Sequence, residues 1–336
     1  MLTEALQRVA EGRDLASDLA AGAMHLLMRG EATPAQIGAF LAALRVKGVT
    51  PSELAAFART MREHAIRIAP SARPLVDTCG TGGGAVTTFN VSTTAAFVVA
   101  GAGVAVAKHG NRAMTSACGS ADLLEALGAR LDLAPEQVSA CIDAVGIGFL
   151  FAPAHHPAMR HVGPVRRELP FRTVFNLLGP LSNPAGAGAQ VIGVYEPGLV
   201  ELVARALAEL GCERALVVHG EPGLDELSTL GPTAVAEVIG GSVRPYVVDA
   251  AALGLPRVAA EQVRGGDSPA ANAAITRSIL QGEPGPRRDL VLLNAAAALV
   301  VAGRAGDLRE GIALAAATID RGAALAKLEA FIARTV

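Results

Sequence analysis

The amino-terminal part of the chain repeats its hydrophobic positions with the period of an α-helix. Apolar residues recur at helical spacing over residues 37–44 and again over 54–61, so each segment carries an apolar stripe. Each stripe follows a Thr-Pro pair, Thr33-Pro34 and Thr50-Pro51, with Gln36 or Glu53 two residues beyond the proline. This arrangement is typical of a helix start with a capping box. Residues 2 to about 70 are therefore predicted to be helical and to need a partner surface.

The pattern changes at Pro74, where short apolar runs begin to alternate with helix-length segments rich in Ala and Leu. The runs cover residues 75–77, 104–107, 147–151, 191–195 and 215–218. From residue 265 onward the chain returns to helical patterns, including 294–301 and 312–332. Strands alternating with helices predict an α/β fold in which helices cover a mostly parallel sheet.

Amino-acid composition and net charge exclude several classes of protein. Of 336 residues, 51% are hydrophobic and 18% charged, with a formal net charge of -2, which excludes a disordered chain and a broad cationic surface. Nucleic acid and membranes are therefore not expected as partners. The acidic residues near the start and the absence of an apolar run of about 20 residues predict a protein that is neither exported nor membrane-spanning. Four widely separated cysteines fit free thiols and a cytoplasmic location.

A glycine-rich segment, Cys79-Gly80-Thr81-Gly82-Gly83-Gly84, follows the first predicted strand directly. Glycines allow backbone N–H groups to converge on an anion, and a helix beginning near Asn90 or Ser92 would aim further donors at the same place. A phosphate-binding loop is the functional interpretation. Simple turn chemistry is the alternative, because the segment matches neither a Walker sequence nor a complete dinucleotide fingerprint.

Two further loops carry charge after predicted strands. Lys108-His109-Gly110-Asn111-Arg112 follows residues 104–107, and lysine occurs only three times in the chain, so an ammonium placed there suggests a phosphate contact. A solvated turn, with Ser120 as an ordinary helix cap, is the alternative. Asp225 and Glu226 follow residues 215–218 and suit Mg²⁺, which takes one or two carboxylates together with water and phosphate. Adjacent acids are also common on protein surfaces.

Residues 154–184 contain the remaining candidates. His155 and His156 are adjacent but have no further ligand at zinc spacing, and His156 is interpreted as ordinary polar packing. Arg166 could hold a carboxylate or be a solvated helix end. No serine or cysteine nucleophile with an orienting base is evident, which favours chemistry by positioning and charge.

Taken in order, these segments resemble the anthranilate phosphoribosyltransferase family over nearly the whole chain. The motifs that carry the resemblance are C-G-T-G-G, T-F-N-V-S-T, K-H-G-N-R, G-S-A-D-L-L-E-A-L-G, H-P-A-M, F-N-L-L-G-P-L-x-N-P and L-D-E. The resemblance implies a helical domain over residues 1–70, with a returning segment near 165–185. It also implies an α/β domain over 71–336, of the type shared by nucleoside phosphorylases and phosphoribosyltransferases, and a homodimer formed through the amino-terminal helices.

The implied reaction transfers the 5-phosphoribosyl group from phosphoribosyl pyrophosphate to the amine of anthranilate. Its products are N-(5-phosphoribosyl)anthranilate and pyrophosphate, in tryptophan synthesis. A nucleoside phosphorylase acting on a pyrimidine nucleoside, and a non-catalytic relative that binds nucleic acid, are the alternatives.

The resemblance also assigns residues. The catalytic positions are Lys108, Asp225, Glu226 and Arg166. The donor-binding positions are Gly80, Gly83, Gly84, Thr88, Asn90, Val91, Ser92, Thr93, Lys108, His109, Gly110, Asn111, Arg112, Ser116 and Ser120. Those facing anthranilate are Gly80, Asn111, Arg166, His109 and His155, and those holding Mg²⁺ are Ser92, Asp225 and Glu226.

Two positions depart from the family pattern. Gly84 stands where the family usually has Asp, and Ala117 stands where it often has Lys. The first change removes an acceptor near the glycine-rich loop and the second removes a phosphate contact. Catalysis is expected to survive both, with donor affinity or metal dependence altered.

Overall fold

A computed structural model describes residues 1–113 and 117–336 of the chain. It begins with a helical bundle whose elements are α1 (Leu2–Ala10), α2 (Ser17–Met28), α3 (Pro34–Lys47) and α4 (Pro51–Glu63). Both predicted capping boxes are confirmed. The hydroxyls of Thr33 and Thr50 each accept from the N–H three residues on, and their backbone N–H groups donate to the side chains of Gln36 and Glu53. Proline at the first helical position and glycine or histidine at the end bound α3 and α4.

A seven-stranded sheet follows, in the order β3-β2-β1-β4-β5-β6-β7. The strands are β1 (Leu75–Gly80), β2 (Ala105–Gly110), β3 (Ile147–Phe151), β4 (Ala189–Gly193), β5 (Arg214–Gly220), β6 (Thr233–Ile239) and β7 (Ser242–Val248). The first five pair in parallel, with Thr78 of β1 opposite Val191 of β4. The fold class predicted from the alternating pattern is confirmed.

The antiparallel strands β6 and β7 were not predicted from the sequence. They form a hairpin closed by Gly240 and Gly241, both with positive φ. A two-residue Gly-Gly turn requires this backbone conformation and is a strong hairpin signal when apolar alternation flanks it. The pair Gly240-Gly241, which separates residues 233–239 from 242–248, could therefore have predicted this hairpin from the sequence.

The remaining helices cover the sheet and extend from its strands. They are α5 (Val91–Gly101), α6 (Ser120–Ala126), α7 (Pro135–Val145), α8 (Ala152–His155), α9 (Gly163–Glu168), α10 (Phe175–Leu181), α11 (Leu199–Glu209), α12 (Pro269–Leu280), α13 (Pro286–Val301), α14 (Leu308–Asp320) and α15 (Ala323–Thr335). Short 3₁₀ turns occupy Pro157–His161, Ala250–Leu253 and Ala260–Val263. Within the described part of the chain, none of the helices combines the length and apolar character required to cross a membrane.

Two large apolar clusters hold the layers together. One joins α5, α7, α13 and α15 to one face of the sheet. The other joins the amino-terminal bundle to α10, α11 and the opposite face of β4 to β6. Hydrophobic burial therefore fixes the bundle against the sheet. This places the helical segment Phe175–Leu181 between α4 and the carboxyl ends of the parallel strands.

Candidate active site

A cavity opens at the carboxyl ends of β1, β4 and β5, where the strand order changes direction. Successive strands run from β1 to β3 on one side and from β4 to β5 on the other. Loops diverge at such a point, which makes it the usual ligand site of an open parallel sheet. The lining residues are Thr78, Cys79, Ser92, Ala95, Val191, Gly193, Val218, Asp225, Glu226 and Asn294.

The glycine-rich loop is fastened directly to the loop that carries the two acids. The N–H of Gly82 donates to Asp225 Oδ2 at 2.8 Å, and the N–H of Ala85 donates to the carbonyl of Gly223 at 2.7 Å. A Cβ at Gly80 would lie 2.5 Å from Asp225 Oδ2, so the close approach requires glycine there. Thr88 Oγ1 adds a bond to Glu226 Oε2 at 3.2 Å.

The acids form a paired carboxylate group in a partly buried position. Burial raises the pKa of Asp225, opposed by the Gly82 N–H. Burial and then the neighbouring charge of Asp225 raise the pKa of Glu226 well above its usual value. Two carboxylates held together in this way favour a cation between them and an approaching anion. Among the described residues, no set of three or more His, Cys, Asp or Glu side chains could hold a metal by itself.

Lys108 lies beneath the loop and is 3% exposed. Its ammonium donates to the carbonyl of Thr78 and, at 3.4 Å, to Ser92 Oγ. Burial lowers its pKa, while the nearby charge of Asp77 raises it. The lysine therefore places its amine group close to Ser92 and to the acid pair.

Asp77 is completely buried, and the sequence analysis assigned no function to it. Its carboxylate accepts from the N–H of His109 at 3.1 Å and from Asn183 Nδ2 at 2.7 Å. Asn183 in turn donates to the carbonyl of Ala107 at 2.8 Å. These bonds tie β1 and the end of β2 to the segment after α10. The position of an acidic residue within a buried strand, β1, could have identified Asp77 from the sequence.

Two histidine rings meet on the other side of this junction. His109 and His156 have ring centroids 5.1 Å apart, and the Nε2 atom of each is buried without a hydrogen-bond partner in the described structure. Burial, followed by the neighbouring histidines, lowers the pKa of His109 to about 3, and burial lowers the pKa of His156 to about 4. Both rings are therefore neutral at pH 7. His155 instead bonds through Nδ1 to the carbonyl of Ile66 at 2.8 Å.

Arg166, on α9, has its guanidinium stacked over Phe175, 5.1 Å from the ring centroid. Burial alone lowers its pKa, with no acidic side chain among the described residues to offset that effect. A partly buried guanidinium without a carboxylate partner is suited to receive one from a ligand.

Three of the other predicted donor residues lie at the start of α5. Asn90 Nδ2 donates to the carbonyl of Cys118 at 3.0 Å, while its Oδ1 is buried and unpartnered. Val91 and Thr93 are buried within α5. The structure thus places these three at or beneath the start of the helix that follows the glycine-rich loop.

The loop after β2 is held by its own contacts. Asn111 and Ser120 exchange hydrogen bonds at 3.2 Å, and a Cβ at Gly110 would lie 2.2 Å from Ser120 Oγ. The guanidinium of Arg112 is bound to Glu125, at 2.6 and 2.8 Å, and to Asp122 at 3.1 Å. Ser116 lies outside the described residues.

The chain was compared with known proteins on both sequence and structure. A family model described as "Glycosyl transferase family, a/b domain" matches residues 72–325, and one described as "Glycosyl transferase family, helical bundle domain" matches residues 3–65. The chain is 61% identical to an anthranilate phosphoribosyltransferase of Symbiobacterium thermophilum, over 96% of this chain and 95% of that protein. It is 56% identical to one of Rubrobacter xylanophilus, over 99% and 97%.

The chain belongs to the anthranilate phosphoribosyltransferase family.

Solved structures of this family match the fold closely. The enzyme from Thermus thermophilus has a TM-score of 0.94 at 48% identity, covering 98% of this chain and 99% of that one. The Saccharomyces cerevisiae anthranilate phosphoribosyltransferase in complex with PRPP (phosphoribosyl pyrophosphate) and Mg has a TM-score of 0.91 at 29% identity, covering 99% and 97%. The comparisons support the anthranilate phosphoribosyltransferase interpretation over the nucleoside phosphorylase and nucleic-acid-binding alternatives.

The departure from the family pattern at Gly84 has a structural counterpart. A Cβ at this position would lie 2.6 Å from the carbonyl oxygen of Gly223. The backbone of the loop therefore approaches the 223–226 segment more closely than any side chain at position 84 would allow.

Arg172, like Asp77, is a residue to which the sequence analysis assigned no function. Its guanidinium lies over the ring of Tyr195, 4.0 Å from the centroid, and donates to the carbonyl of Gly83. It thus connects the segment carrying Arg166 with the glycine-rich loop. No spacing rule marks such an arginine, because both of its partners are distant in the chain.

Proposed function

We propose that this chain transfers the 5-phosphoribosyl group of phosphoribosyl pyrophosphate to the amine of anthranilate, at the cavity between β1, β4 and β5. The observation that carries the proposal is the pair of acids held against a glycine-rich loop at this point of the sheet. The reaction itself is inferred from the chain's membership of the anthranilate phosphoribosyltransferase family. The S. cerevisiae relative has been solved with PRPP and Mg and with 4-fluoroanthranilate.

The donor would lie with its phosphates over the glycine-rich loop and the start of α5. The residues that would form this side are Gly80, Gly83, Gly84, Thr88, Asn90 and Ser92, and Lys108 would supply positive charge from below. Arg112 is engaged with Glu125 and Asp122 in the structure, so its proposed contact with the donor requires its guanidinium to exchange those partners.

The residues present fit Mg²⁺ rather than a softer metal. Asp225, Glu226 and Ser92 offer only oxygen atoms, and the acids have pKa values raised by burial and, at Glu226, by repulsion from Asp225, which a divalent cation relieves. When bound, Mg²⁺ neutralises negative charge that develops on the departing pyrophosphate. The protein's part is to hold the two carboxylates at a fixed distance from the phosphate loop.

The acceptor would lie between Arg166 and the paired histidines. A guanidinium can take the carboxylate of anthranilate as a forked pair and so orient the amine. The Nε2 atoms of His109 and His156 are buried and have no donor among the described residues, so in this conformation they influence the acceptor through their charge and not through direct bonds. Because both rings stay neutral at pH 7, they do not repel the positive charge that builds at the ribose carbon.

The overall reaction needs no covalent intermediate. The bond from the ribose carbon to pyrophosphate breaks, the bond to the aniline nitrogen forms, and one amine proton is released. An aniline nitrogen is neutral at pH 7 and can attack without prior deprotonation. Holding both substrates in register supplies much of the rate enhancement.

We also propose the boundaries and assembly implied by the resemblance. Residues 1–70 would form one domain with the segment near 165–185, and 71–336 the other, since α9 and α10 pack on α3 and α4. A homodimer through the bundle would cover Val46, which is 90% exposed. A cytoplasmic location is consistent with the free thiols of Cys79, Cys141 and Cys212.

Loss of anthranilate fluorescence, with phosphoribosyl pyrophosphate and Mg²⁺ present, tests the proposal. The rate should require both, and Asp225→Ala should lower it by about 100-fold or more at limiting Mg²⁺, because a ligand to the leaving group's counter-ion is lost. Glu221→Gln, an exposed acid in the same loop, is the matched control and should stay within about twofold of wild type. Folded protein without donor-dependent decay would contradict the assignment.

A further inference from the structure

Asn294 is a polar residue in the middle of a buried helix. It lies on α13, where Leu290–Val301 are all buried, and is itself 6% exposed. Burying an amide is unfavourable unless its donors and acceptor are bonded. The surrounding residues are almost all alanine, leucine and valine, so apolar packing alone does not account for an asparagine here.

The amide is bonded to the loop that carries the acid pair. Asn294 Oδ1 accepts from the N–H of Leu227 at 3.0 Å, and Nδ2 donates to the carbonyl of Leu227 at 3.0 Å. Nδ2 also donates to the carbonyl of Leu290 at 2.9 Å. Both backbone hydrogen-bonding groups of the residue after Glu226 are therefore held by one side chain.

The same loop is held from the opposite side by the glycine-rich loop. Gly82 donates to Asp225, and the carbonyl of Gly223 accepts from Ala85. Asn294 supplies the attachment to the interior, on a helix that packs against α5 and α14. The positions of the two carboxylates are thus set between the glycine-rich loop and the buried helix α13.

We propose that Asn294 is a positioning residue for the Asp225–Glu226 pair, fixing the backbone from which both carboxylates reach the metal and the donor. The inference rests on the proposed function, because it concerns the same site. It predicts that loss of the amide weakens metal binding and raises the KM for the donor, while the KM for anthranilate changes little.

The chain provides a matched control in Asn272. This residue is 2% exposed on α12, accepts from the N–H of Gly266 at 3.1 Å and donates to the carbonyls of Gly266 and Ser268 at 3.0 and 2.9 Å. Its amide thus makes the same set of bonds, to one loop residue and to the carbonyl four positions earlier. Asn272→Ala removes equivalent bonds without touching the acid loop.

The experiment measures Mn²⁺ binding by the free-ion signal in electron paramagnetic resonance, with and without phosphoribosyl pyrophosphate. It uses the full chain, as wild type, Asn294→Ala, Asn294→Ser, Asn272→Ala and Asp225→Ala. A serine hydroxyl can bond to the carbonyl of Leu290 and so support folding, but it is too short to hold both groups of Leu227. Substrate KM values are measured on the same samples, with Mg²⁺.

We expect the Mn²⁺ dissociation constant and the donor KM to rise about tenfold in both Asn294 variants and less than about twofold in Asn272→Ala. Equal values in the Asn294 and Asn272 variants, or an equal rise of both substrate KM values, would overturn the positioning role. If Asp225→Ala binds Mn²⁺ as tightly as wild type, the proposed metal site fails, and the inference fails with it.

Discussion

Several of the least exposed polar side chains in this protein lie around the cavity. Asp77 is 0% exposed, Lys108 3%, and His109 and Asn294 6% each. Such groups are stable in a protein interior only when they are bonded, and here their bonds join the loops that form the site. The geometry of the site is therefore set before any substrate binds. Among the described site residues, the exceptions are Asn90 Oδ1, the Nε2 atoms of His109 and His156, and the guanidinium of Arg166.

Arg166→Ala should raise the KM for anthranilate about 10- to 100-fold and leave the KM for phosphoribosyl pyrophosphate nearly unchanged. Hydrogen bonds to a charged group contribute about 1.5–3 kcal/mol, which corresponds to that range. Steady-state kinetics with each substrate varied in turn checks the prediction.

The neighbouring Arg167 is exposed, so Arg167→Ala is the control and should behave as wild type. An Arg166→Ala variant with unchanged anthranilate kinetics would remove Arg166 from the acceptor site.

At the scale of elements, local signals set where helices and strands begin and end. The capping boxes of α3 and α4 use only residues within one turn, so the sequence contained all the information needed to place them. The hairpin of β6 and β7 is equally local, at Gly240 and Gly241. The starts of α5 and α6 depend on contacts from elsewhere, such as Asn90 to Cys118, and were predicted only approximately.

Thr33→Ala should lower the free energy of unfolding by about 1 kcal/mol, because one N–H of the first turn of α3 loses its acceptor. The Thr33 hydroxyl accepts from the N–H of Gln36 at 3.2 Å, far from the cavity, so activity should not change. Urea unfolding followed by circular dichroism provides the measurement.

Thr3→Ala, an exposed position within α1, is the control and should change stability by less than about 0.5 kcal/mol. Equal stabilities of the two variants would show that the capping box contributes nothing measurable.

At the scale of the whole molecule, the helical bundle and the sheet share one apolar cluster, and polar contacts join them next to the site. Arg62 Nε donates to the carbonyl of Leu181 at 2.7 Å, and the N–H of Ile66 donates to the carbonyl of His155 at 2.8 Å. The neutral pair His109 and His156 lies close to the same junction. The stability of the junction is therefore expected to depend on pH.

The folded-state pKa values of His109 and His156, about 3 and about 4, lie below the unfolded value of about 6.5. Below a pH of about 6.5 the unfolded chain binds more protons, so the stability that each neutral ring contributes is complete above that pH and is lost as the pH falls. At pH 5 the loss should be about 2 kcal/mol for each ring.

Denaturant unfolding at pH 7 and pH 5, with His156→Gln compared to wild type, isolates this effect from that of the buried acids. The variant should lose less stability than wild type between the two pH values, by about 2 kcal/mol. His161→Gln, at a half-buried histidine outside the pair, is the control. An identical loss in His156→Gln and wild type would rule out the neutral ring as the cause.

Periodicity, caps and loop motifs are local patterns, so the sequence alone predicted the helical bundle, the alternation of helices with the five parallel strands, and the family. It also predicted functional roles for Asp225 and Glu226, which lie in the loop after β5, and for Lys108, which lies in the carboxyl-terminal half of β2. The tertiary structure alone decided which side chains meet. Asn294 is 67 positions from Leu227, and Arg172 is 89 from Gly83. Such pairs depend on packing and strand order, which no local pattern encodes.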